Sequence, residues 1–122
     1  MKKHLLSAVA VLLMFLAGQK TFAQTTYNLC STAPAISTDT AATLYDSGGP
    51  SGQYQTYEDC TLLVQPTCAT SITLTFQSFD SETNFDYFYV YDGTTVTGTN
   101  LLVTANGHGL PSPSTVTATS GS

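Results

Sequence analysis

Short segments in which apolar and polar residues alternate recur along this chain, and they constrain its fold more than any other feature. In residues 71–79, Ile72, Leu74 and Phe76 share one face of a predicted strand, because successive strand side chains point to opposite sides. Similar segments span residues 40–45, 60–65, 86–92, 100–105 and 114–119. Gly, Pro, Asn and Asp residues that favour turns separate them. The pattern predicts an all-β protein, a two-sheet antiparallel sandwich.

Residues 1–23 have the three parts of a secretory signal peptide. Lys2, Lys3 and His4 form a positive start, and residues 5–18 form an uncharged apolar stretch. That stretch is shorter than the roughly 20 residues needed to span a bilayer. Ala23 provides the small residue that signal peptidase requires. We therefore expect cleavage after Ala23 and a secreted or cell-surface protein, with no membrane insertion of the mature chain.

Cleavage would leave a chain without basic side chains. Lys2, Lys3 and Lys20 are the only Lys or Arg residues, whereas all eight acidic residues lie in residues 24–122. Nucleic acids and anionic membrane surfaces are excluded as partners, because their recognition depends on cationic side chains. Each carboxylate must instead be hydrated, accept backbone donors or bind a metal ion.

Three acidic residues, Asp80, Glu82 and Asp86, form a cluster without a basic neighbour. Two carboxylates 4 Å apart repel by about 1 kcal/mol in water and more near a protein surface. A bound Ca²⁺ would relieve this repulsion, since calcium takes six to eight oxygen ligands. The spacing is not that of an EF-hand loop. From the residues alone, a solvated acidic loop explains the cluster equally well.

Three tyrosines alternate with apolar residues in the predicted strand at residues 86–92. Phe88 and Val90 are expected to face the core, which places Tyr87, Tyr89 and Tyr91 on the outer face. The resulting stripe would be about 13 Å long. It could stack on sugar rings or anchor a protein partner. Packing against the neighbouring strand is the simpler interpretation.

Nothing in the sequence predicts an enzyme. His108 is the only histidine after the signal peptide, and it has no acidic neighbour in sequence. A zinc site would need several His or Cys ligands, and no serine lies in a nucleophile-elbow pattern. Glu82 and Asp86 could be imagined as a glycosidase pair, but a domain of this size offers hardly a cleft for a sugar.

Residues 24–122 suffice for one domain but not for two. Residues 115–119 begin a strand, and the following Ser-Gly-Ser resembles a hairpin turn after which no strand returns. Such a turn would leave an unpaired edge. We therefore expect a domain that lacks its C-terminal strands here, either a monomeric module or a part of a longer protein.

The three cysteines allow one disulfide and leave one thiol. If residues 60–65 form a strand that turns at Pro66, Cys60 lies most of 20 Å from the turn that contains Cys68, at about 3.3 Å per residue. That separation exceeds the limit of about 7 Å between the Cα atoms of a disulfide. A bridge between Cys60 and Cys68 is therefore not expected, and Cys30 should take part.

Four sequence elements in the same order resemble the CUB domain family. Residues 78–82 (Ser-Phe-Asp-Ser-Glu) match its Phe-Asp-x-Glu element, and residues 85–93 match a Tyr-Asp strand that ends on Asp-Gly. Upstream, residues 45–50 with Tyr54 resemble the version common in bacterial secreted proteins. Downstream, residues 101–111 occupy the stretch where the family has Cys-Gly and then a proline.

The resemblance implies a jelly-roll-like sandwich that acts as a non-catalytic module and binds protein or carbohydrate, often through Ca²⁺. In bacteria such modules are often attached to secreted proteases and adhesins, so a structural or adhesive spacer is the alternative function. The resemblance implies that Glu82 and Asp86 are direct calcium ligands and that Asp80 supports them without contacting the ion. The family's first disulfide corresponds to Cys30 and Cys60, which is therefore the pairing we prefer.

Two features of the family are missing. Animal members usually have a second disulfide, whose positions correspond to Phe85 and Asn106. The last family strands, which carry a further aspartate ligand, would lie beyond Ser122. We therefore expect calcium to bind weakly, at or beyond the ~10⁻⁴–10⁻³ M range of extracellular modules.

Overall fold

The computed structural model describes residues 24–31, 35–36 and 40–122. The predicted signal peptide, residues 1–23, lies outside these described residues. Within them, no helix has both the length and the apolar character needed to cross a membrane.

Regular structure in the described residues is almost entirely β. The strands are β1 (Thr25–Asn28), β2 (Ala35–Ile36), β3 (Ala42–Tyr45), β4 (Leu63–Val64), β5 (Ile72–Thr75), β6 (Tyr87–Tyr91), β7 (Leu101–Asn106) and β8 (Thr115–Ala118). Two single 3-10 turns, Gly49–Ser51 and Gly98–Asn100, lie in connections. Every alternating sequence segment contains or overlaps a strand, so the all-β prediction is confirmed. The short strands β1 and β2 were not predicted.

The strands of the described residues form four pairs. β5 pairs with β8 and β6 with β7, both antiparallel as predicted. The pairs β1–β3 and β2–β4 are parallel, which the sequence did not predict. In β6–β7 the register shifts between Val90 and Tyr91, and such bulges increase the local twist.

The two antiparallel sheets face each other across the core. Their buried side chains come from alternate positions, Val103 and Ala105 of β7 and Val116 and Ala118 of β8. Phe88 of β6 lies edge-on to Phe76, with ring centroids 5.8 Å apart. Because edge-to-face aromatic pairs are favourable beyond the area that they bury, this contact helps to hold the two sheets together as a sandwich.

A disulfide joins Cys30, which follows β1, to Cys60, which precedes β4. Their Cα atoms are 5.2 Å apart, within the range for such bonds. Cys68 has a free, exposed thiol in the turn that begins at Pro66. The predicted pairing is confirmed, although β4 is shorter than the segment from which the argument was made.

Candidate functional site

One hydrogen-bonded turn holds the backbone between Glu82 and Asp86. The carbonyl of Glu82 accepts the N–H groups of Phe85 and Asp86, each at 3.1 Å. Asn84 has a φ of +68°, a conformation that asparagine adopts more readily than most residues. The turn ends where β6 begins, so Glu82 and Asp86 lie at one end of the sandwich.

The side chain of Asn106, the last residue of β7, clamps this turn. Its Oδ1 accepts the N–H of Asn84 at 3.0 Å. Its Nδ2 donates to the carbonyls of Asp86 at 2.7 Å and Glu82 at 3.4 Å. The sequence resemblance predicted no second disulfide at Phe85 and Asn106, and in the structure hydrogen bonds from the Asn106 side chain hold this turn.

A second set of bonds joins the turn to the loop that follows β7. Ser81 N–H donates to the carbonyl of Gly107 at 2.9 Å, and Gly107 N–H donates to Ser81 Oγ at 2.9 Å. Gly107 has a φ of +81°, and a Cβ there would lie 3.0 Å from Thr83 Oγ1. Glycine suits this position because it adopts positive φ without a steric penalty and leaves room for the adjoining loop.

Tyr54 connects the two predicted calcium ligands. Its hydroxyl donates to Asp86 Oδ2 at 2.7 Å and accepts the N–H of Glu82 at 3.1 Å. The bond to Asp86 raises the pKa of Tyr54, because it stabilises the protonated phenol. Tyr54 belongs to the family resemblance in sequence, but its position between the two acidic residues was not predicted, because it depends on contacts between residues that are 28 and 32 positions apart.

The described residues at this turn offer a cation few protein ligands. Asp86 keeps its second carboxylate oxygen free of protein donors in the described chain, and Glu82 is exposed. Within the described residues, no group of three or more His, Cys, Asp or Glu side chains could hold a metal ion. Water and backbone oxygens would have to supply most of calcium's six to eight ligands.

Asp80 is held by a different partner. It forms an isolated β-bridge with His108, and its carboxylate contacts His108 Nδ1 on the exposed surface. His108 therefore has an acidic neighbour in space, although it has none in sequence. A catalytic dyad would also need a nucleophile bonded to the imidazole, and within the described residues His108 makes no hydrogen bond to Ser or Cys.

The tyrosines of β6 form a stacked row on the outside of the sandwich. Tyr87 and Tyr89 are 49% and 47% exposed. Their ring centroids are 6.0 Å apart with an interplanar angle of 15°, and those of Tyr89 and Tyr91 are 6.3 Å apart at 33°. The rings of neighbouring tyrosines thus lie side by side along the strand, and those of Tyr87 and Tyr89 are nearly parallel.

Asp92, at the other end of β6, is a structural anchor, whereas its sequence pattern predicted only a turn residue. Its carboxylate accepts the backbone N–H groups of Thr119 at 2.9 Å and Ser120 at 3.0 Å. The two hydroxyls donate to it as well, at 2.9 and 2.5 Å. These donors, the Ser120 hydroxyl first, hold the pKa of Asp92 well below its usual range.

The described residues thus form an all-β sandwich with exposed aromatic and acidic side chains. The CUB domain family model matches residues 30–121, so the chain belongs to the CUB family. No curated protein and no solved structure matches the chain. CUB domains are generally non-catalytic, bind protein partners and typically occur in extracellular or surface proteins.

Proposed function

We propose that this chain is a secreted CUB module that binds a protein ligand with the assistance of calcium at Glu82 and Asp86. The observation that carries the proposal is the turn between them, which holds two acidic residues at one end of the sandwich. Residues 24–122 contain no Lys or Arg that could neutralise these acids. A cation from solution is therefore the natural counter-charge.

The residues around the turn have separate tasks in this proposal. Glu82 and the free oxygen of Asp86 would contact the cation, while Tyr54 holds the other oxygen of Asp86. The Asn106 clamp keeps the turn in place before any cation binds. A bound Ca²⁺ would supply positive charge to this acidic end and stiffen the loop that a ligand meets. Asp80 is committed to His108 and would act only through the neighbouring loop.

A protein ligand is favoured over a glycan because CUB domains generally bind protein partners. The tyrosines of β6 are compatible with such a ligand. Tyr87 and Tyr89 are about half exposed, and their aromatic rings and hydroxyl groups suit the mixed polar and apolar surface of a protein partner.

The test is a thermal melt of the exported protein with and without ~10 mM Ca²⁺, several-fold above the expected dissociation constant. Calcium that binds only the folded state should raise the melting temperature. The rise should shrink in Glu82→Gln and in Asp86→Asn. Mg²⁺ should replace calcium poorly, because it dehydrates reluctantly and demands octahedral geometry.

Asp59→Asn provides the matched control, since Asp59 is exposed and lies in a different loop. This variant should keep the full calcium response. A melt that is indifferent to calcium, or a response that survives both ligand substitutions, would remove Glu82 and Asp86 from the site. The spacer function would then be the better explanation.

A further inference from the structure

We propose that the outer face of the β6–β7 sheet docks an extended, arginine-bearing segment of a protein partner. This tyrosine face consists of Tyr87, Tyr89 and Tyr91 on β6 and, directly opposite them, Asn106, Thr104 and Leu101 on β7. Docking of this segment rests on the proposed function only in that the ligand is a protein, and it does not require calcium.

The tyrosine hydroxyls are open to a partner. In the described part of the chain, Tyr87, Tyr89 and Tyr91 make ring contacts with one another, and no hydrogen bond joins their hydroxyls to another described residue. Each phenol oxygen can therefore accept a bond from a ligand and donate one in return. Tyr87 also ends the row, so the face of its ring that points away from Tyr89 is not covered by another ring of the row.

The spacing of the row matches that of an extended peptide. Same-side residues of a strand are about 6.6–6.8 Å apart, twice the rise per residue. The ring centroids along β6 are 6.0 and 6.3 Å apart. A ligand strand that lies along β6 can therefore place every second side chain against a successive tyrosine.

The charge around the tyrosine face determines which side chains a bound segment can carry. The tyrosine face has no charged residue among its six members, but carboxylates lie at both ends of β6, and no described residue is Lys or Arg. The field around the face is therefore negative, which attracts a cationic partner and repels an acidic one.

Arginine suits this face better than lysine. The planar guanidinium stacks on aromatic rings and presents five N–H donors, which can bond the free phenol oxygens. Lysine carries a compact, strongly hydrated charge, so its contact with aromatic rings contributes less binding free energy. The face thus predicts a preference for arginine at alternate positions, beyond a general attraction for positive charge.

The experiment measures fluorescence anisotropy of labelled nine-residue peptides with the exported protein in EGTA. One peptide alternates Arg with Ser; matched peptides carry Lys or Glu in place of Arg, or the same residues with all Arg in one block. We expect the alternating Arg peptide to bind most tightly, followed by the blocked Arg and Lys peptides. The Glu peptide should not bind.

Two substitutions on the face and one control locate the binding site. Tyr89→Ala should weaken binding of the alternating Arg peptide by about tenfold or more, the loss typical of an aromatic hot spot. Thr104→Lys, opposite Tyr89, should weaken it comparably by adding a like charge without removing a ring. Tyr57→Ala should bind as the unaltered protein does, because Tyr57 is fully exposed in another loop.

Binding of the alternating Arg peptide that is insensitive to both Tyr89→Ala and Thr104→Lys would overturn the proposal. Equal affinity for Arg and Lys peptides would do the same, because charge alone would then explain the attraction. A neutral oligosaccharide that binds at Tyr89 in place of the peptide would assign the face to glycans. Since calcium is absent throughout, none of these results depends on the Glu82 and Asp86 site.

Discussion

The two ends of β6 carry the same type of residue in different surroundings. Asp86 precedes the strand and accepts one described side-chain hydrogen bond, from Tyr54. Asp92 follows the strand and accepts four, from the backbone and hydroxyl groups of Thr119 and Ser120. A carboxylate whose oxygens are fully occupied by donors anchors the fold. One that keeps an oxygen free can still bind something else.

The two ends also differ in how their loops are held. At the Asp86 end, the neutral amide of Asn106 clamps the turn and leaves the carboxylate out of the clamp. At the Asp92 end, the carboxylate is itself the clamp, and Gly93 N–H adds a bond to the carbonyl of Ser122. At the Asp86 end, one residue holds the loop and a different residue keeps its charge available. At the Asp92 end, the charged residue itself holds the loop.

The largest effect on stability is expected from Asp92→Ala, which removes the acceptor of four hydrogen bonds. The melting temperature should fall by several degrees, whereas Asp86→Ala in EGTA should lower it less, because only the bond from Tyr54 is lost. Thermal melts by circular dichroism measure both. A greater fall in melting temperature for Asp86→Ala would contradict the assignment of Asp92 as the residue that anchors the fold.

The contribution of Asp92 should depend on pH. Its pKa is lowered in the folded state, so the stabilisation is complete above the unfolded value of about 3.9 and is lost as the pH falls. The difference in stability between the unaltered protein and Asp92→Asn in urea melts should therefore be full at pH 7 and shrink progressively as the pH falls below about 4. A difference of the same size at pH 7 and at pH 2.5 would show that the charge of Asp92 is not what stabilises the turn.

Asn106→Ala should release the turn at the Asp86 end. Loss of its side-chain bonds should cost about 1–2 kcal/mol, the value for one or two net hydrogen bonds. The amide of Asn84, which donates to Asn106 Oδ1, should exchange its hydrogen faster. Hydrogen exchange followed by mass spectrometry gives the measurement, with residues 119–122 as the internal control that should not change.

Tyr54→Phe should have the smallest effect in this series. It removes one hydroxyl between Asp86 and Glu82, so the free energy of unfolding should fall by about 0.5–1.5 kcal/mol. Tyr57→Phe is the matched control, since Tyr57 is fully exposed, and it should leave stability unchanged. If the two variants lose equal stability in urea melts, the bridge through Tyr54 contributes nothing to the turn.

Strand positions were largely predictable because alternation is a local property. Residues 71–79 and 86–92 show which side chains face the core, and β5 and β6 lie within them. β1 and β2 escaped prediction because β2 is very short and neither alternates in sequence. Their parallel pairing with β3 and β4 depends on how the chain crosses over, which side-chain periodicity does not record.

The sequence by itself determined the all-β class, the outward row of tyrosines and the absence of Lys and Arg from the acidic residues 24–122. These properties follow from the order and the kind of neighbouring residues. Only the tertiary structure decided that Asn106 clamps the turn at Glu82, that Tyr54 reaches Asp86, and that Asp92 anchors Thr119 and Ser120. The bonded groups are 20 to 32 residues apart in sequence, and donors and acceptors at such separations meet only when the strands have paired.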